Sequence, residues 1–187
     1  MGGGLNSVVL DNTRAGHLAT KALLDKGCRK IEMISYTLSL SNFRDREEGY
    51  SLAMKVAGLA DATTIHRLRH NRLGKMQELI LDMHARGVEG VLFATNTLAM
   101  AGLKAISRSG LHIPRDLRVA TFDSVEAFNI ADAEITCIRQ PIPQFSTEAF
   151  DLLLKTINQK EKTQSRMHIV LNPEVVEPEE ICARTEY

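Results

Sequence analysis

The sequence predicts an α/β protein with a mostly parallel sheet and helices on both faces. Two observations predict it. Short apolar runs alternate with amphipathic stretches of ten or more residues, the pattern of βαβ units. Glycines also recur where each early helical stretch stops, at Gly27, Gly58, Gly87 and Gly110, the place of a helix C-cap. Parallel strands joined this way cross over right-handed, which puts helices on both faces.

Each element has its own reason. Ser7–Leu10 is a short apolar strand, and Asp11 or Asn12 can cap a helix over Thr13–Lys26 with Leu18, Ala19, Ala22 and Leu23 on one stripe. Lys30–Ser35 carries Ile31, Met33 and Ile34 and reads as the next strand. Ser41 or Asn42 can cap a helix over Phe43–Val56. Thr64–Leu68 is a weak strand, Lys75–Arg86 a helix, Gly90–Ala94 a strand of buried type and Asn96–Ser109 a helix. Leu117–Phe122 and Glu134–Arg139 read as strands, Pro143–Gln159 as an amphipathic helix and Met167–Leu171 as the last strand. Gln159–Gln164 is polar and loop-like, and the acidic residues after Pro173 read as a surface tail.

Composition narrows the function. The 187 residues carry 23 Lys+Arg against 23 Asp+Glu, a net charge of zero that argues against a free-standing nucleic-acid binder. Hydrophobic residues make up 44% of the chain, enough for a core. No apolar run is long enough to span a membrane. The opening Met-Gly-Gly-Gly lacks the basic and apolar regions of a secretory signal. Cys28, Cys137 and Cys182 are odd in number and widely spaced, which fits reduced thiols in the cytoplasm rather than disulfides or a zinc site. His66 and His70 have a metal-like spacing but fall on a strand and a loop with no third ligand, and read as surface histidines. The stripe Met76, Leu79, Ile80 and Met83 reads as core. No nucleophile elbow, phosphate loop or dinucleotide fingerprint is present, so no cofactor and no catalytic group is expected.

In open sheets of this kind, ligands bind beyond the carboxyl ends of the strands. The residues there are Asp11 and Asn12, Ser39–Arg46, Thr95 and Asn96, Asp123 and Ser124, and Gln140. Several of these segments, in order, resemble one family. They are Val8-Val9-Leu10-Asp11-Asn12, Leu24-Asp25-Lys26-Gly27-Cys28, Phe43-Arg44-Asp45-Arg46-Glu47-Glu48-Gly49-Tyr50, and Phe93-Ala94-Thr95-Asn96-Thr97-Leu98-Ala99. Ser109-Gly110-Leu111-His112-Ile113-Pro114-Arg115-Asp116-Leu117, Val119-Ala120-Thr121-Phe122-Asp123-Ser124 and Thr136-Cys137-Ile138-Arg139-Gln140-Pro141 continue the series. The set resembles the effector-binding region of LacI/GalR-family transcription regulators, over roughly residues 6 to 171.

The resemblance implies a type-I periplasmic-binding-protein fold, a parallel-sheet sandwich of which this chain holds mainly the C-terminal lobe. Residues 1–10 would be a crossover strand remnant, 11–137 the C-terminal lobe, 138–171 a segment returning to the N-terminal lobe and 172–187 a tail. Nothing in the sequence matches the helix-turn-helix head, the hinge helix or the first half of the N-terminal lobe. Apolar faces on the helix over residues 143–159 would then lack part of their packing.

The resemblance also implies ligand contacts. Arg46, three residues before Gly49-Tyr50, matches an arginine that hydrogen-bonds the effector; its planar fork of five donors suits vicinal hydroxyls or a carboxylate. A solvated arginine paired with Asp45 or Glu48 is the plain alternative. Asp123 matches an aspartate that accepts from sugar hydroxyls, the alternative being a cap for a short helix near Val125–Asn129. Thr95 and Asn96 stand where the family has Asn-Asp: Thr95 falls at the ligand-binding Asn, a one-residue slip would put Asn96 there, and the plain alternative makes Asn96 the helix N-cap. Asn42 matches a polar contact or is an N-cap, and Gln140 matches a glutamine that touches ligand or hinge. Asp11 and Asn12 look structural.

The implied function is a sensor without catalysis. A small polar effector, most simply a sugar or sugar derivative, would bind between two lobes and set the DNA affinity of a helix-turn-helix head in a cytoplasmic homodimer. The alternative is a periplasmic sugar-binding protein of a transporter, on the same fold. An α/β enzyme is a third reading, left open only because fold does not dictate function. The sequence Ile113-Pro114-Arg115-Asp116-Leu117 and the unpaired cysteines favour the regulator.

Overall fold

The computed structural model describes residues 6–37, 40–69, 74–123, 134–158 and 167–176. The first strand, β1 (Ser7–Leu10), leads into α1 (Asn12–Asp25), β2 (Ile31–Tyr36) and α2 (Ser41–Val56). After a single 3-10 turn at Ala60–Ala62 come β3 (Thr64–Leu68), α3 (Met76–Ala85), β4 (Gly90–Phe93) and α4 (Asn96–Arg108). The chain continues through β5 (Arg118–Phe122), β6 (Ile135–Arg139), α5 (Ile142–Asn158), β7 (His168–Leu171) and β8 (Glu174–Val176).

Six strands form the main sheet in the order β3-β2-β4-β5-β6-β8. All its neighbours are parallel except the β6–β8 pair. Every residue of β2 and β4 is buried, as expected of parallel strands covered on both faces. The helices α1 and α2 pack together on one face, and α3 and α4 pack together on the other. The order reverses between β2 and β4, so the carboxyl ends of these two strands flank a topological switch point.

A second, two-stranded sheet stands apart from this body. In it β1 pairs parallel with β7, residue for residue from Ser7 opposite His168 to Leu10 opposite Leu171. α5 packs on both strands of this pair.

Two glycines set how α1 crosses α2. A Cβ on Gly16 would lie 2.1 Å from the Arg46 carbonyl oxygen, and one on Gly49 would lie 2.0 Å from that of Thr13. The two backbones therefore touch, which no other residue type permits. Tyr50, also on α2, donates its hydroxyl to the Ile31 carbonyl at 2.8 Å and accepts from the Thr64 N–H at 3.1 Å. That one side chain ties the helix to both β2 and β3.

The structure departs from the sequence reading at several points. Glu174–Val176 is not tail but an antiparallel edge strand on β6, with Val176 buried. Its alternation of one exposed and two inward residues is too short a period-2 signal to register. α2 begins at Ser41, with Leu40 at the cap position and no side-chain cap bond, so neither Ser41 nor Asn42 is the cap. On α4 the cap is Thr95, whose Oγ1 accepts from the Leu98 N–H at 3.2 Å, and Asn96 is the first helical residue. His66 is not a solvated surface residue: its Nε2 lies 2.6 Å from Oε2 of the buried Glu32. Arg86 also holds Glu32 through both terminal nitrogens. His70, Cys182, Ser124, residues 125–129, the Gln159–Gln164 stretch and the chain after Val176 lie outside the described residues. Cys28 and Cys137 are both buried, and burial pushes the Cys28 thiol up. No group of three potential metal ligands exists among the described residues. No described helix is long and apolar enough to cross a membrane.

Candidate functional site

A cleft of about 380 Å³ lies where the main sheet meets the β1–β7 pair. Asn12, Ser41, Asn42, Asp45, Arg46, Gln140, Phe145 and His168 are among the residues lining it. It sits at the carboxyl side of the strands, beside the switch point.

Arg46 is its most constrained member. Helix α2 carries it inward, and its side chain is 95% shielded, with only 5% exposed. Nε donates to Asn12 Oδ1 at 2.8 Å, and Nη1 donates to the Ala94 carbonyl at 2.7 Å. The guanidinium stacks on the Phe122 ring, 3.9 Å from its centroid, a favourable cation–π geometry. Burial pulls its pKa down to about 10, and the nearby Asp123 charge opposes that. The group therefore stays protonated at neutral pH. Neither Asp45 nor Glu48 pairs with it; the alternative of a solvated arginine is overturned. Glu47 pairs instead with Arg67, whose Nη2 lies 2.6 Å from Oε2.

This geometry follows from the fold. The glycine crossing of α1 and α2 sets Asn12, at the start of α1, against Arg46. Asp11 caps α1 by accepting from the Arg14 N–H at 2.8 Å, which leaves Asn12 available. Asn12 also donates to the Leu10 carbonyl at 3.1 Å, so its amide is fixed at both ends.

Asp123 ends β5 in the left-handed region, at φ 60°. Its N–H donates to the Ile138 carbonyl at 2.8 Å. Gln140, just past β6, donates Nε2 to both Asp123 carboxylate oxygens, at 2.9 and 3.0 Å. Thr95 and Asn96 follow directly on Ala94, the residue whose carbonyl holds Arg46. The neighbouring Tyr36 stacks edge-to-face on Phe43 at 5.7 Å. Burial pushes the Tyr36 phenol up, and the Thr95 hydroxyl acts in the other direction.

Of the six residues singled out in the sequence, Asn42, Arg46 and Gln140 line the cleft. Asp123, Thr95 and Asn96 are not in its lining: Asp123 is bonded to Gln140, and Thr95 and Asn96 follow Ala94, whose carbonyl holds Arg46. Sequence reasoning missed Asp45, Phe145 and His168 and gave Asn12 only a structural part. The spacing of Asn42 and Asp45, three apart on one helix, was a usable signal for Asp45. His168 had none: β7 brings it from the far end of the chain, where Ser7 Oγ holds its Nδ1 at 2.7 Å. A larger depression, about 490 Å³, lies at the amino ends of β4 and β5, near Cys28, Glu89 and Arg118, and contains none of these residues.

Over residues 20–178 the chain matches the family described as the periplasmic binding protein-like domain. The chain belongs to that family. This periplasmic binding protein-like chain is 29% identical to an HTH-type transcriptional regulator RegA of Clostridium saccharobutylicum, over 95% of its own length and 54% of the relative's. It is 30% identical to a ribose operon repressor of Haemophilus influenzae, over 92% of its length and 52% of the relative's. It therefore spans about half the length of the curated relatives it matches. Among solved structures, a LacI family transcriptional regulator from Enterococcus faecium with bound ribose aligns at a TM-score of 0.81. The identity there is 22%, over 94% of this chain and 65% of that one. The fold is the type-I periplasmic-binding-protein fold of the LacI-type regulators, as the ordered segments implied, and these relatives are regulators of transcription rather than enzymes.

Proposed function

We propose that this chain is the ligand-sensing part of a LacI-type transcriptional regulator. A small polar effector, most simply a sugar or sugar derivative, occupies the cleft. Asn42, Arg46 and Gln140 contact it, with Thr95, Asn96 and Asp123 on its border. Residues 11–137 form one lobe, and residues 138–171 return to the other, beside the strand before Asp11. The effector prefers one arrangement of the lobes, and a helix-turn-helix segment of the whole regulator reads that arrangement as DNA affinity. Control of this kind needs a ligand that binds two states unequally. The regulator acts as a cytoplasmic homodimer and performs no catalysis.

One observation carries this reading. Arg46 is a buried, protonated guanidinium with two of its five N–H groups fixed by Asn12 and Ala94. The remaining donors belong to a preorganised fork on the wall of a cleft. A ribose operon repressor among the relatives supports a sugar as the effector. Titration calorimetry with a sugar panel tests it. Arg46→Ala and Asp123→Ala should each weaken binding at least tenfold, about 1.5–3 kcal/mol for a hydrogen bond to a charged group. Unchanged affinity in both variants would remove the site assignment.

A further inference from the structure

The cleft's charges bear on which sugar derivatives can enter, a question that rests on the sensing reading above. Helix α2 presents Ser41, Asn42 and Asp45 to the cleft from its first turns, with Arg46 beside them. Arg46 is committed: Asn12, Ala94 and the Phe122 ring hold it, and the Asp123 charge acts on it. Asp45 is not committed. Among the described residues its carboxylate has no hydrogen bond and no ion pair, although it is half-buried.

The cleft wall carries one carboxylate, Asp45, and one guanidinium, Arg46, and behind Gln140 the Asp123 carboxylate adds a second negative charge that acts on Arg46. The uncapped start of α2 adds about half a positive charge at most, which does not offset the extra carboxylate. His168 contributes an imidazole whose Nδ1 is taken by the Ser7 hydroxyl. Inside a cleft, charges interact several times more strongly than in bulk water. A phosphate ester or a sugar acid brought beside Asp45 meets a like charge that no bonded cation neutralises. A neutral polyol meets the opposite: its hydroxyls donate to Asp45 and to the Gln140 amide oxygen, and they accept from the Arg46 N–H groups and Ser41. Phe145, a partly buried lining residue from α5, offers an apolar face to sugar carbons.

We propose that the cleft selects an uncharged polyhydroxylated ligand and rejects its phosphate and carboxylate derivatives, with Asp45 as the selecting residue. Binding of D-ribose, D-xylulose and D-glucose is measured by calorimetry against ribose 5-phosphate, xylulose 5-phosphate and glucose 6-phosphate. The full chain is compared with its Asp45→Asn and Asp45→Glu variants. The expected result is that each sugar that binds does so at least tenfold more tightly than its phosphate ester. Asp45→Asn should narrow that ratio at least threefold, chiefly by improving the ester, while Asp45→Glu keeps it. A phosphate ester that binds wild type as tightly as its parent sugar overturns the selection and leaves the sensing reading standing. So does an unchanged ratio in Asp45→Asn. Binding of no sugar and no ester overturns both.

Discussion

The main sheet, but for its β8 edge, and the β1–β7 pair are both parallel, yet they are opposite kinds of structure. In the main sheet, β2 and β4 are buried along their whole length between two helical layers. In the smaller sheet only Leu10 and Leu171 are buried, and Val170 is 49% exposed. Its covering helix leaves Ile142, Phe150, Leu153 and Ile157 more than half exposed, although Leu152 is buried. A two-stranded sheet has too little apolar contact to stand by itself. The difference teaches where stability resides: the six-stranded body is held from both sides, while the corner is held from one. Local opening should start in the corner, where contacts are fewest. The cleft runs between the two, so one of its walls is rigid and the other is compliant.

Substitutions in the body and in the corner should therefore differ in cost. The largest effect belongs to the body. Phe93 is fully buried on β4, and its ring fills the space where Gly102 lacks a Cβ. Phe93→Ala should cost about 3–5 kcal/mol in urea unfolding, and a cost under about 1 kcal/mol would mean that the body is not the stable part.

The next effect is titratable and also belongs to the body. Burial pulls the Glu32 pKa up, but hydrogen bonds from Arg86 and His66, with their charges, more than reverse this and hold it below the ordinary carboxylate value. An unfolded glutamate titrates near about 4.3. Glu32 therefore contributes stability that is fully present above that pH and is lost as pH falls through the lower folded value. Unfolding free energies measured from pH 6 down to about 3 should fall less steeply in Glu32→Gln than in wild type. Equal slopes would place the acid sensitivity elsewhere.

The smallest effect belongs to the corner. Phe150, 60% exposed on α5, should tolerate Phe150→Ser within about 0.5 kcal/mol. A loss of several kcal/mol in the same urea assay would show that this face is buried in solution and that the contrast drawn above is false.

Much of the body was legible because its signals are local. The strand starting at Ile31 and the helix closed by Gly87 each declare themselves within a dozen residues. The ends that misled were those where side chains serve something other than the backbone. Ser41 and Asn42 have cap chemistry, yet both line the cleft, and the cap position falls to Leu40. Thr95 took the capping bond that the sequence reading assigned to Asn96. β8 escaped because three residues among acidic neighbours carry no usable period. In the cleft, the identity of Arg46 was readable but its fixation was not. Its partners are 34 and 48 residues away, and only the glycine crossing of α1 and α2 brings the first of them into reach. His66 shows the same limit: its carboxylate partner, Glu32, lies 34 residues back on the neighbouring strand.

The backbone at Asp123 has a consequence for anyone who improves this molecule. A non-glycine residue at φ 60° carries a standing cost of about 1 kcal/mol, which a glycine would relieve. Against that gain stands what Asp123→Gly would remove. That substitution would discard the carboxylate that orients Gln140 and balances Arg46. The strain is thus kept in place by the polar partners that the carboxylate serves.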